Sequence, residues 1–440
     1  FYNNNLEFEL TNAQKNVIRD IRKDFSTNSQ MNRLLQGDVG SGKTIVALLS
    51  CLIAIDNNYQ TTIIAPTEIL AQQHFNSIKN SLVDLSLNVK ILTGSTSKKE
   101  RIDLFDDLKN GHVNILIGTH AVLEDKVAFK NLGLAIIDEQ HRFGVAQRSK
   151  LWKKNKIPPH ILVMTATPIP RTLAMSVYGD LDISVIDELP PGRKPITTVH
   201  RTDKNRLQVF KFIKDEVLKE RQIYIVYPLI EESRTMDYKD LIDGYESIER
   251  EFPKDQYQIS ILHGRMKNED KEYEMNRFKK GETQIMVSTT VIEVGVNIPN
   301  ASVMIVESAE RFGLSQLHQL RGRVGRGSEN SYCILMTKEK ISNDARTRIK
   351  TMCRTNDGFK IAEVDMNLRG PGNILGTQQS GLLNFKIADI IKDKDILDLA
   401  RDDAKSLLRN DPQLRHTDNK EIKEEYGKLN KNSILWKHIS

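Results

Sequence analysis

Cysteine is scarce in this 440-residue chain, and long apolar runs are absent. The three cysteines, Cys51, Cys333 and Cys353, include no CxxC pair and leave an odd count, which fits buried free thiols in a reducing cytoplasm. No apolar stretch approaches the ~20 residues that a membrane helix needs. The first residues, Phe-Tyr-Asn-Asn-Asn, lack the basic and apolar regions of a signal peptide. We therefore expect a cytoplasmic protein with no membrane partner.

A strong excess of one charge is also missing. Lysine and arginine number 64, aspartate and glutamate number 58, and the formal net charge is +6. This balance is compatible with a nucleic-acid partner but does not establish one, because many enzymes are equally basic. Hydrophobic residues make up 39% and charged residues 28%, as in ordinary globular proteins, and the length allows two or three domains with separate cores.

Short apolar, β-branched runs recur along the chain, and each is followed by a turn and a helical stretch. In the first half they cover residues 61–65, 89–92, 114–117, 134–137 and 161–164, and residues 32–36 are also strand-like. In the second half they cover residues 223–227, 258–262, 284–287, 302–306 and 332–336. Strands that alternate with helices predict parallel sheets covered on both faces. The sequence therefore predicts an α/β fold in both halves.

Two changes of composition divide the chain into three parts. Residues 188–195, Glu-Leu-Pro-Pro-Gly-Arg-Lys-Pro, can continue neither a helix nor a central strand, and we interpret them as an interdomain linker. Strand signals stop near residue 345. Residues 344–354 look helical, a glycine-rich segment follows, and the tail from about Asp411 is rich in lysine and asparagine and is expected to be partly disordered. The predicted domains are residues 1–190, 191–345 and 346–440.

A phosphate loop is predicted at Gly37-Asp-Val-Gly-Ser-Gly-Lys-Thr44, between a strand and a helix of residues 45–55. Its small residues let backbone N–H groups curl around phosphates, and the helix start adds positive potential. Lys43 is expected to reach the β- and γ-phosphates, and Thr44 to bind Mg²⁺. A flexible glycine turn is the simpler alternative, but every fixed position of the motif matches. The predicted nucleotide-binding residues here are Gly37, Gly40, Ser41, Gly42, Lys43 and Thr44.

Two carboxylates follow a hydrophobic run in the same half. Residues 134–137 lead directly into Asp138 and Glu139. We expect Asp138 to hold Mg²⁺ and Glu139 to polarise the attacking water. A lone Asp-Glu pair is usually a solvated loop. Here the pair follows a predicted strand, at the end where ligands of such sheets bind, and this position favours a catalytic function.

The second half has no phosphate loop, but residues 319–327, Gln-Leu-Arg-Gly-Arg-Val-Gly-Arg-Gly, carry spaced arginines. A basic cluster of this kind could be an exposed face or a nucleic-acid contact. In a lobe without its own nucleotide loop, we expect Arg323 and Arg326 to act as arginine fingers on the γ-phosphate. One ATP would then bind between two unlike lobes.

In their order and spacing these motifs resemble those of superfamily 2 helicases. The set also includes Thr11-Asn-Ala-Gln14, Ala65-Pro-Thr67-Glu, Thr93-Gly94, Gly118-Thr119-His120-Ala121, Thr165-Ala-Thr167 and Ser288-Thr289-Thr290. The resemblance implies two RecA-like domains in tandem with a mainly helical appendage, and it implies that Gln14 reads adenine. The DNA contacts that it implies are Thr67, Thr93, Gly94, Thr119, His120 and Thr289, and the coupling residues are Thr165, Thr167 and Gln319. Short polar groups at strand ends suit phosphate contacts, which carry no base code.

Finer features narrow the resemblance to the RecG family and the transcription-repair coupling factors. Asp138-Glu-Gln-His141 and the Thr-Pro-Ile-Pro-Arg run at residues 167–171 are similar to both. Both groups carry a helical hairpin and a glycine-rich loop after the second lobe. Residues 358–381 resemble that segment, which implies a coupling role for Arg369 and Gln379. Gln-His after the acids, Pro371 and Thr377 favour RecG, whereas Asn373 departs from it.

The resemblance implies an ATP-dependent double-stranded DNA translocase that remodels stalled forks and Holliday junctions in recombination and repair. ATP is its implied substrate and Mg²⁺ its implied cofactor. The implied partners are branched or double-stranded DNA and a single-stranded-DNA-binding protein, and we expect a monomer associated with the bacterial nucleoid. RecG proteins also carry an N-terminal OB-fold wedge domain, for which there is no room before Gly37. Because the chain also starts without methionine, we expect it to be a piece of a longer protein.

Three alternatives stay open. A coupling factor would require an RNA-polymerase-binding module, and the sequence shows none. A DEAD-box RNA unwinder fits less well, because the acids continue with Gln-His rather than Ala-Asp. An ATP-gated DNA clamp without turnover is the alternative from a different class. The intact set of Lys43, Glu139, Arg323 and Arg326 argues against it, because a clamp gains nothing from keeping a residue that activates water.

Overall fold

The structure is a computed structural model of the chain. It describes residues 6, 8–27, 29–139, 150–152, 154–155, 157–167, 181–190, 192–228, 244–253, 255–289, 298–327, 329–369 and 393–431. The described residues up to 369 belong to one compact unit, and residues 393–431 belong to a second. The first unit contains two lobes, each built on a parallel sheet.

The first lobe, which ends at residue 186, has a sheet of seven parallel strands. In chain order they are β1 (Asn32–Gly37), β2 (Gln60–Ile64), β3 (Val89–Leu92), β4 (Ile115–Gly118), β5 (Leu132–Asp138), β6 (His160–Thr165) and β7 (Asp182–Ile186). Their spatial order is β3-β4-β2-β5-β6-β1-β7. Every residue of β2 and β4 is buried, as expected for strands that helices cover on both faces.

The helices described around this sheet are α1 (Asn12–Phe25), α2 (Lys43–Asp56), α3 (Glu68–Ser81) and α4 (Lys98–Asn110). Local side chains cap three of these helix starts, including α4, where Ser97 and Glu100 form a capping box. The hydroxyl of Thr11 accepts from the Gln14 N–H, and Gln14 Oε1 accepts from the Thr11 N–H, so that the pair forms a capping box at α1. The hydroxyl of Thr67 accepts from the Leu70 N–H at 3.3 Å and caps α3. The apolar faces of α1, α2 and α3 pack with the strands in one core.

The second lobe, residues 197–337, repeats this plan with six parallel strands. They are β8 (Thr197–Thr202), β9 (Gln222–Tyr227), β10 (Ile259–Leu262), β11 (Ile285–Thr289), β12 (Ala301–Val306) and β13 (Tyr332–Thr337). Their spatial order is β10-β11-β9-β12-β13-β8. The lobe's helices include α5 (Arg206–Leu218), α6 (Asn268–Lys279) and α7 (Leu314–Arg321), and residues 244–251 are also helical.

Two further helices, α8 (Asn343–Arg354) and α9 (Gly358–Arg369), pack against the second lobe. Ile349, Met352 and Ile361 belong to the same apolar cluster as Leu317 and Leu320 of α7. The α8–α9 pair therefore shares a core with the helix that immediately precedes the predicted arginine fingers.

The second unit contains α10 (Lys394–Asn410) and α11 (Lys420–Lys431) within its described residues. The carboxylate of Asp411 organises the connection, because it accepts from Asn419 Nδ2 and from the N–H groups of Arg415 and His416. These hydrogen bonds lower the pKa of Asp411 to about 2. The expectation of partial disorder beyond Asp411 is thus wrong for residues 420–431. Their lysines and glutamates are good helix formers, so the charged composition is compatible with a helix.

The predicted fold class is confirmed: two parallel sheets follow one another and a helical portion comes last. Each predicted strand is present with bounds shifted by no more than a few residues. The sequence does not predict β7 and β8, which occupy the edges of their sheets and have mixed or polar residues. The described linker residues form neither helix nor strand, as predicted. The domain boundaries at residues 190 and 345 stay predictions. None of the helices in the described ranges combines the length and apolarity that a bilayer crossing requires.

Replacement of Ile136 by alanine should destabilise the first lobe. Ile136 is fully buried in the middle of β5, and the cavity left by truncation of such a side chain costs about 2–5 kcal/mol. Urea unfolding, followed by circular dichroism, should show a lower midpoint. Ile102→Ala is the matched control because Ile102 is 62% exposed on α4, and it should change the midpoint little. Equal shifts in the two variants would contradict the assignment of Ile136 to the core.

Candidate nucleotide site and nucleic-acid surface

The phosphate loop joins β1 to α2 in the predicted strand–loop–helix arrangement. Gly40 and Gly42 have φ of +76° and +87°, a left-handed conformation that favours glycine. Lys43 is buried, and its Nζ donates to the carbonyl oxygens of Gly37 at 2.8 Å and Asp38 at 2.9 Å. Burial lowers the pKa of Lys43. The lysine amine therefore lies over the loop, where phosphates bind in such motifs.

Asp138 ends β5, which only β6 separates from β1, so the acid and the phosphate loop share one edge of the sheet. Its Oδ2 lies 2.8 Å from Nε2 of His74 on α3. Burial acts to raise the pKa of Asp138, but the hydrogen bond and charge of His74, together with Lys43, outweigh it and hold the pKa below its usual value. Asp138 is therefore an anionic oxygen donor, the type that hard divalent cations prefer.

Glu139, the next residue, has φ of +54°, which a residue with a side chain rarely adopts. Burial and the neighbouring Asp138 raise the pKa of Glu139 to about 7, against the opposing effects of Lys43, Arg323 and the Ala166 N–H. A general base works best when its pKa lies near the working pH. Both the position and the pKa of Glu139 suit a group that polarises water.

Both predicted arginine fingers lie near the charged groups of the first lobe. Arg323 is 9% exposed and interacts electrostatically with Glu139. Arg326 interacts electrostatically with Lys43. Burial, with repulsion from Arg323 and Arg193, lowers the pKa of Arg326 to about 10. The second lobe thus supplies buried cations to the phosphate loop and the acids of the first lobe.

Helix α7 connects the second lobe to the phosphate loop. Nε2 of His318 lies 2.5 Å from Oδ1 of Asp38, and Nδ1 of His318 lies 2.9 Å from Nη2 of Arg321. Burial opposes ionisation of Asp38, but His318 outweighs it and the pKa of Asp38 lies below its usual value. Gly322 approaches Val39 so closely that an added Cβ would lie 2.7 Å from the Val39 Cβ. The two lobes therefore meet at the phosphate loop.

Three of the predicted coupling residues meet across the same interface. Nε2 of Gln319 donates to Oγ1 of Thr167 at 2.6 Å, and the Thr167 N–H donates to Oγ1 of Thr165 at 3.1 Å. Arg369 is the last residue of α9. Gln379 lies outside the described residues. The structure therefore brings the first three together and leaves the roles of Arg369 and Gln379 as predictions.

Gln14 contacts the phosphate loop directly. Its Nε2 donates to the carbonyl oxygen of Ser41 at 2.8 Å, and its Oε1 accepts from the Thr11 N–H at 3.0 Å. An added Cβ at Gly42 would collide with the Gln14 amide. The amide retains one further donor and one further acceptor, and the reading of adenine stays a prediction. Thr44, the predicted magnesium ligand, is exposed at the start of α2.

The predicted DNA contacts of the first lobe follow three neighbouring strand ends. The strands β3, β4 and β2 are adjacent in the sheet. Thr67 follows β2, Thr93 and Gly94 follow β3, and Thr119 and His120 follow β4. Gly94 and His120 are exposed. The structure therefore places five of the six predicted contacts along one edge, which we call the strand-end surface.

Hydrogen bonds from Arg101 of α4 brace the strand-end surface. Its Nη2 donates to the carbonyl oxygen of Thr93 at 2.8 Å, and its Nε donates to that of Thr96 at 3.1 Å. The hydroxyls of Thr119 and, at the end of β11, Thr289 are buried without a hydrogen-bond partner in the described part of the chain. Buried hydroxyls of this kind usually have a partner, so each could donate a hydrogen bond to an acceptor oxygen of a ligand.

The motif pattern does not assign roles to three residues that the structure places at the site. His74 contacts Asp138, His318 contacts Asp38, and Arg193 of the linker contacts Val39. His74 lies on the helix that Thr67 caps, and His318 immediately precedes Gln319. Nearness to a motif is therefore the feature of the sequence that points to these two histidines. Arg193 offered no such signal, because a basic residue in a linker is usually solvated.

Family models match three successive parts of the chain. A DEAD/DEAH box helicase model matches residues 11–176, and a helicase conserved C-terminal domain model matches residues 208–328. A third model, ATP-dependent DNA helicase RecG, domain 3, C-terminal, matches residues 355–440. The ATP-dependent DNA helicase RecG of Synechocystis sp. is 51% identical over 433 residues, which cover 98% of this chain and 52% of that protein. This chain belongs to the RecG family.

Other members of the RecG family show the same extent of similarity. The RecG of Bacillus subtilis is 48% identical over 406 residues, which cover 92% of this chain and 59% of that protein. The chain spans about half the length of the curated relatives that it matches. A solved structure of RecG bound to a three-way DNA junction has a TM-score of 0.74 and 44% identity, and the match covers 89% of this chain and 51% of that one. Yeast Dbp5 bound to RNA, at 16% identity and a TM-score of 0.56, shares the fold alone.

Replacement of His318 by alanine should loosen the phosphate loop. The variant removes the side-chain partner of half-buried Asp38, and loss of a hydrogen bond to a charged group costs about 1.5–3 kcal/mol. Amide hydrogen exchange, measured by mass spectrometry on a peptide that covers residues 37–44, should accelerate by roughly tenfold or more. His112→Ala is the control, since the His112 side chain is 67% exposed in the same lobe as the loop. Unchanged exchange in His318→Ala would show that the contact does not hold the loop.

Proposed function

We propose that this chain is the ATP-hydrolysing motor of a double-stranded DNA translocase that remodels branched DNA, such as stalled replication forks and Holliday junctions. One observation carries the proposal. Arg323 and Arg326 of the second lobe lie within electrostatic reach of Glu139 and Lys43 of the first. On this proposal, hydrolysis needs groups from both lobes. The two helicase models over residues 11–176 and 208–328 and the RecG domain model over residues 355–440 support the same assignment.

The proposed hydrolysis divides its tasks between the lobes. The loop N–H groups and Lys43 bind the phosphates, and Glu139 accepts a proton from the attacking water. Arg323 and Arg326 neutralise charge that develops on the γ-phosphate in the transition state. Because these arginines come from the opposite lobe, turnover requires the two lobes to be together.

Mg²⁺ is the proposed cofactor, and the nearby oxygen donors fit it. The Asp138 carboxylate is anionic and oriented by His74, and the Thr44 hydroxyl is exposed at the first turn of α2. Magnesium in such sites keeps several waters and binds one or two protein oxygens together with substrate phosphates. A cluster of three or more metal-binding side chains is therefore not required, and the described ranges contain none. When bound, the ion would neutralise charge on the β- and γ-phosphates.

The proposed track is duplex DNA, with branched DNA as the substrate of the full-length protein. The 44%-identical RecG structure is of a complex with a three-way DNA junction. In this chain, Thr67, Gly94 and His120 offer short polar groups and backbone along the strand-end surface. The protein is proposed to be a monomer and to lie in the cytoplasm near the nucleoid. A single-stranded-DNA-binding protein is its proposed partner.

Coupling of hydrolysis to movement is proposed to run through the interface between the lobes. Thr165, Thr167 and Gln319 connect the end of β6 with α7, and α7 shares a core with the α8–α9 pair. Arg369, at the end of α9, and Gln379 are proposed to grip the duplex when the lobes close. The proposed domain boundaries at residues 190 and 345 separate these moving parts.

Steady-state ATP hydrolysis, measured with and without duplex DNA, tests the proposal, and Glu139→Gln and Lys43→Ala test its site. The wild-type chain should hydrolyse ATP faster with DNA. Glu139→Gln should retain ATP binding and lose turnover by about 10²–10⁴-fold, because it removes the base and not a phosphate ligand. Lys43→Ala should lose both. Tight ATP and DNA binding without turnover in the wild type would identify a clamp instead, and near wild-type rates in Glu139→Gln would remove the assigned base.

DNA binding should depend on salt and not on base sequence. Contacts with the phosphate backbone release counterions, so the affinity should fall by about tenfold or more between roughly 50 and 200 mM salt. Fluorescence anisotropy with duplexes of equal length and different sequence measures both dependences. A defined base consensus, or an affinity that salt does not change, would contradict phosphate-directed binding along the strand-end surface.

A further inference from the structure

Arg193 brings a cation from the interdomain linker to the phosphate loop. The Arg193 N–H lies 3.5 Å from the Pro190 carbonyl oxygen, as in a turn, and Gly192 has φ of +86°. That conformation favours glycine at the third position of a turn. The turn directs the Arg193 side chain to a residue 154 positions earlier in the sequence. The adjacent Lys194 is exposed.

The guanidinium group of Arg193 lies on the phosphate loop itself. Its Nη1 donates to the carbonyl oxygen of Val39. The same nitrogen lies beside Gly40, where any added Cβ would collide with it. A guanidinium group has five N–H donors, so the bond to Val39 leaves donors for another acceptor. The arginine is therefore within reach of a ligand that binds the loop.

Positive charge is crowded around this part of the loop. The cations that interact here are Lys43, Arg193, Arg323 and Arg326, and the carboxyls are Asp38, Asp138 and Glu139. Arg193 and Arg326 repel each other, and burial acts against the charge of both. Such an arrangement is relieved by an anion that accepts from several of the cations.

We propose that Arg193 is a nucleotide-binding residue that contacts the terminal phosphate of ATP and exchanges the Val39 carbonyl oxygen for a phosphate oxygen. The terminal phosphate is the relevant one because Arg193 interacts electrostatically with Arg326, the proposed finger, and Arg326 in turn interacts with Lys43. The inference rests on the proposed function for the identity of the nucleotide. It adds a third source of positive charge to the site, because Arg193 comes from the linker whereas the other cations come from the two lobes.

This contact would make the linker sensitive to the nucleotide state. With ATP, Arg193 would bind the terminal phosphate. With ADP, that acceptor is gone, and the guanidinium group returns to Val39. Arg193 of the linker would thus contact the terminal phosphate in the ATP state and the Val39 carbonyl oxygen in the ADP state. Because the linker joins the lobes, the change would reach them at the moment when the terminal phosphate is released.

Equilibrium binding of two fluorescent nucleotides, an ADP and a β,γ-imido-ATP, tests the proposal with Mg²⁺ present and DNA absent. Arg193→Ala should weaken binding of the imido-ATP by about tenfold to a hundredfold, as loss of a charge-assisted bond does. Binding of ADP should change by less than about threefold. Arg193→Lys keeps the charge and should restore most of the imido-ATP affinity. Lys194→Ala removes a neighbouring exposed charge and should leave both affinities near those of the wild type.

Arg193→Gln separates phosphate binding from a purely structural bond. Glutamine can still donate to the Val39 carbonyl oxygen but carries no charge, so it should weaken imido-ATP binding nearly as much as alanine does. If Arg193→Ala fails to fold, Arg193→Gln tests the proposal in its place. Thermal melting of the nucleotide-free variants shows whether each variant is folded. Wild-type imido-ATP affinity in Arg193→Gln, equal losses for ADP and imido-ATP, or tighter binding in either variant would overturn the proposal.

Kinetics distinguish this residue from the proposed fingers. Arg326→Ala should lower mainly kcat in DNA-stimulated hydrolysis, whereas Arg193→Gln should raise mainly the KM for ATP. The binding measurements require neither turnover nor DNA. A wild-type chain that binds imido-ATP but does not hydrolyse ATP would therefore refute the proposed function and still allow the role of Arg193 to be decided.

Discussion

Charge buried around one phosphate loop is the constraint on which much of this structure depends. A carboxylate or an ammonium group loses several kcal/mol on leaving water unless other charges and hydrogen bonds compensate it. The buried or half-buried acids of the site each have at least part of this compensation: Asp38 has His318, Asp138 has His74, and Glu139 has the Ala166 N–H. These partners come from α7, α3 and the end of β6. The positions of three distant elements are therefore fixed by the need to satisfy one site.

Strand order explains why residues far apart in sequence meet there. The strands β5, β6 and β1 are neighbours, so Asp138, Thr165 and the phosphate loop emerge at the same edge of the sheet. On the other side of β5, β2 leads through Thr67 into α3, which carries His74 to Asp138. The helix that Thr67 caps thus contacts the proposed magnesium ligand through His74. A shift of α3 when the strand-end surface binds phosphate would therefore change the contact between His74 and Asp138.

The sequence predicts the parts of the site that local motifs encode. The phosphate loop and the strand-end acids need fixed residue types at fixed short spacing, and the structure places them as predicted. The pairs His318–Asp38 and Arg193–Val39 join residues 280 and 154 positions apart, and no short pattern records them. The missed strands have a similar explanation. Edge strands such as β8, with the sequence Thr-Thr-Val-His-Arg-Thr, need only one neighbour and tolerate polar residues, so they lack the apolar run that identifies central strands.

The strained residue at the centre of the site connects its chemistry with the state of the lobes. Glu139 keeps an unfavourable left-handed φ of +54°, and a conformation of this kind persists only where the surroundings hold it. One of its contacts is the N–H of Ala166, which lies between Thr165 and Thr167. Thr167 in turn accepts from Gln319 of the second lobe at 2.6 Å. If the lobes separate, the Gln319 contact is lost, and the segment that supplies the Ala166 N–H loses its support. On the proposed mechanism, the base would be positioned only while the lobe that carries the proposed arginine fingers is docked, and ATP hydrolysis would be restricted to the closed state.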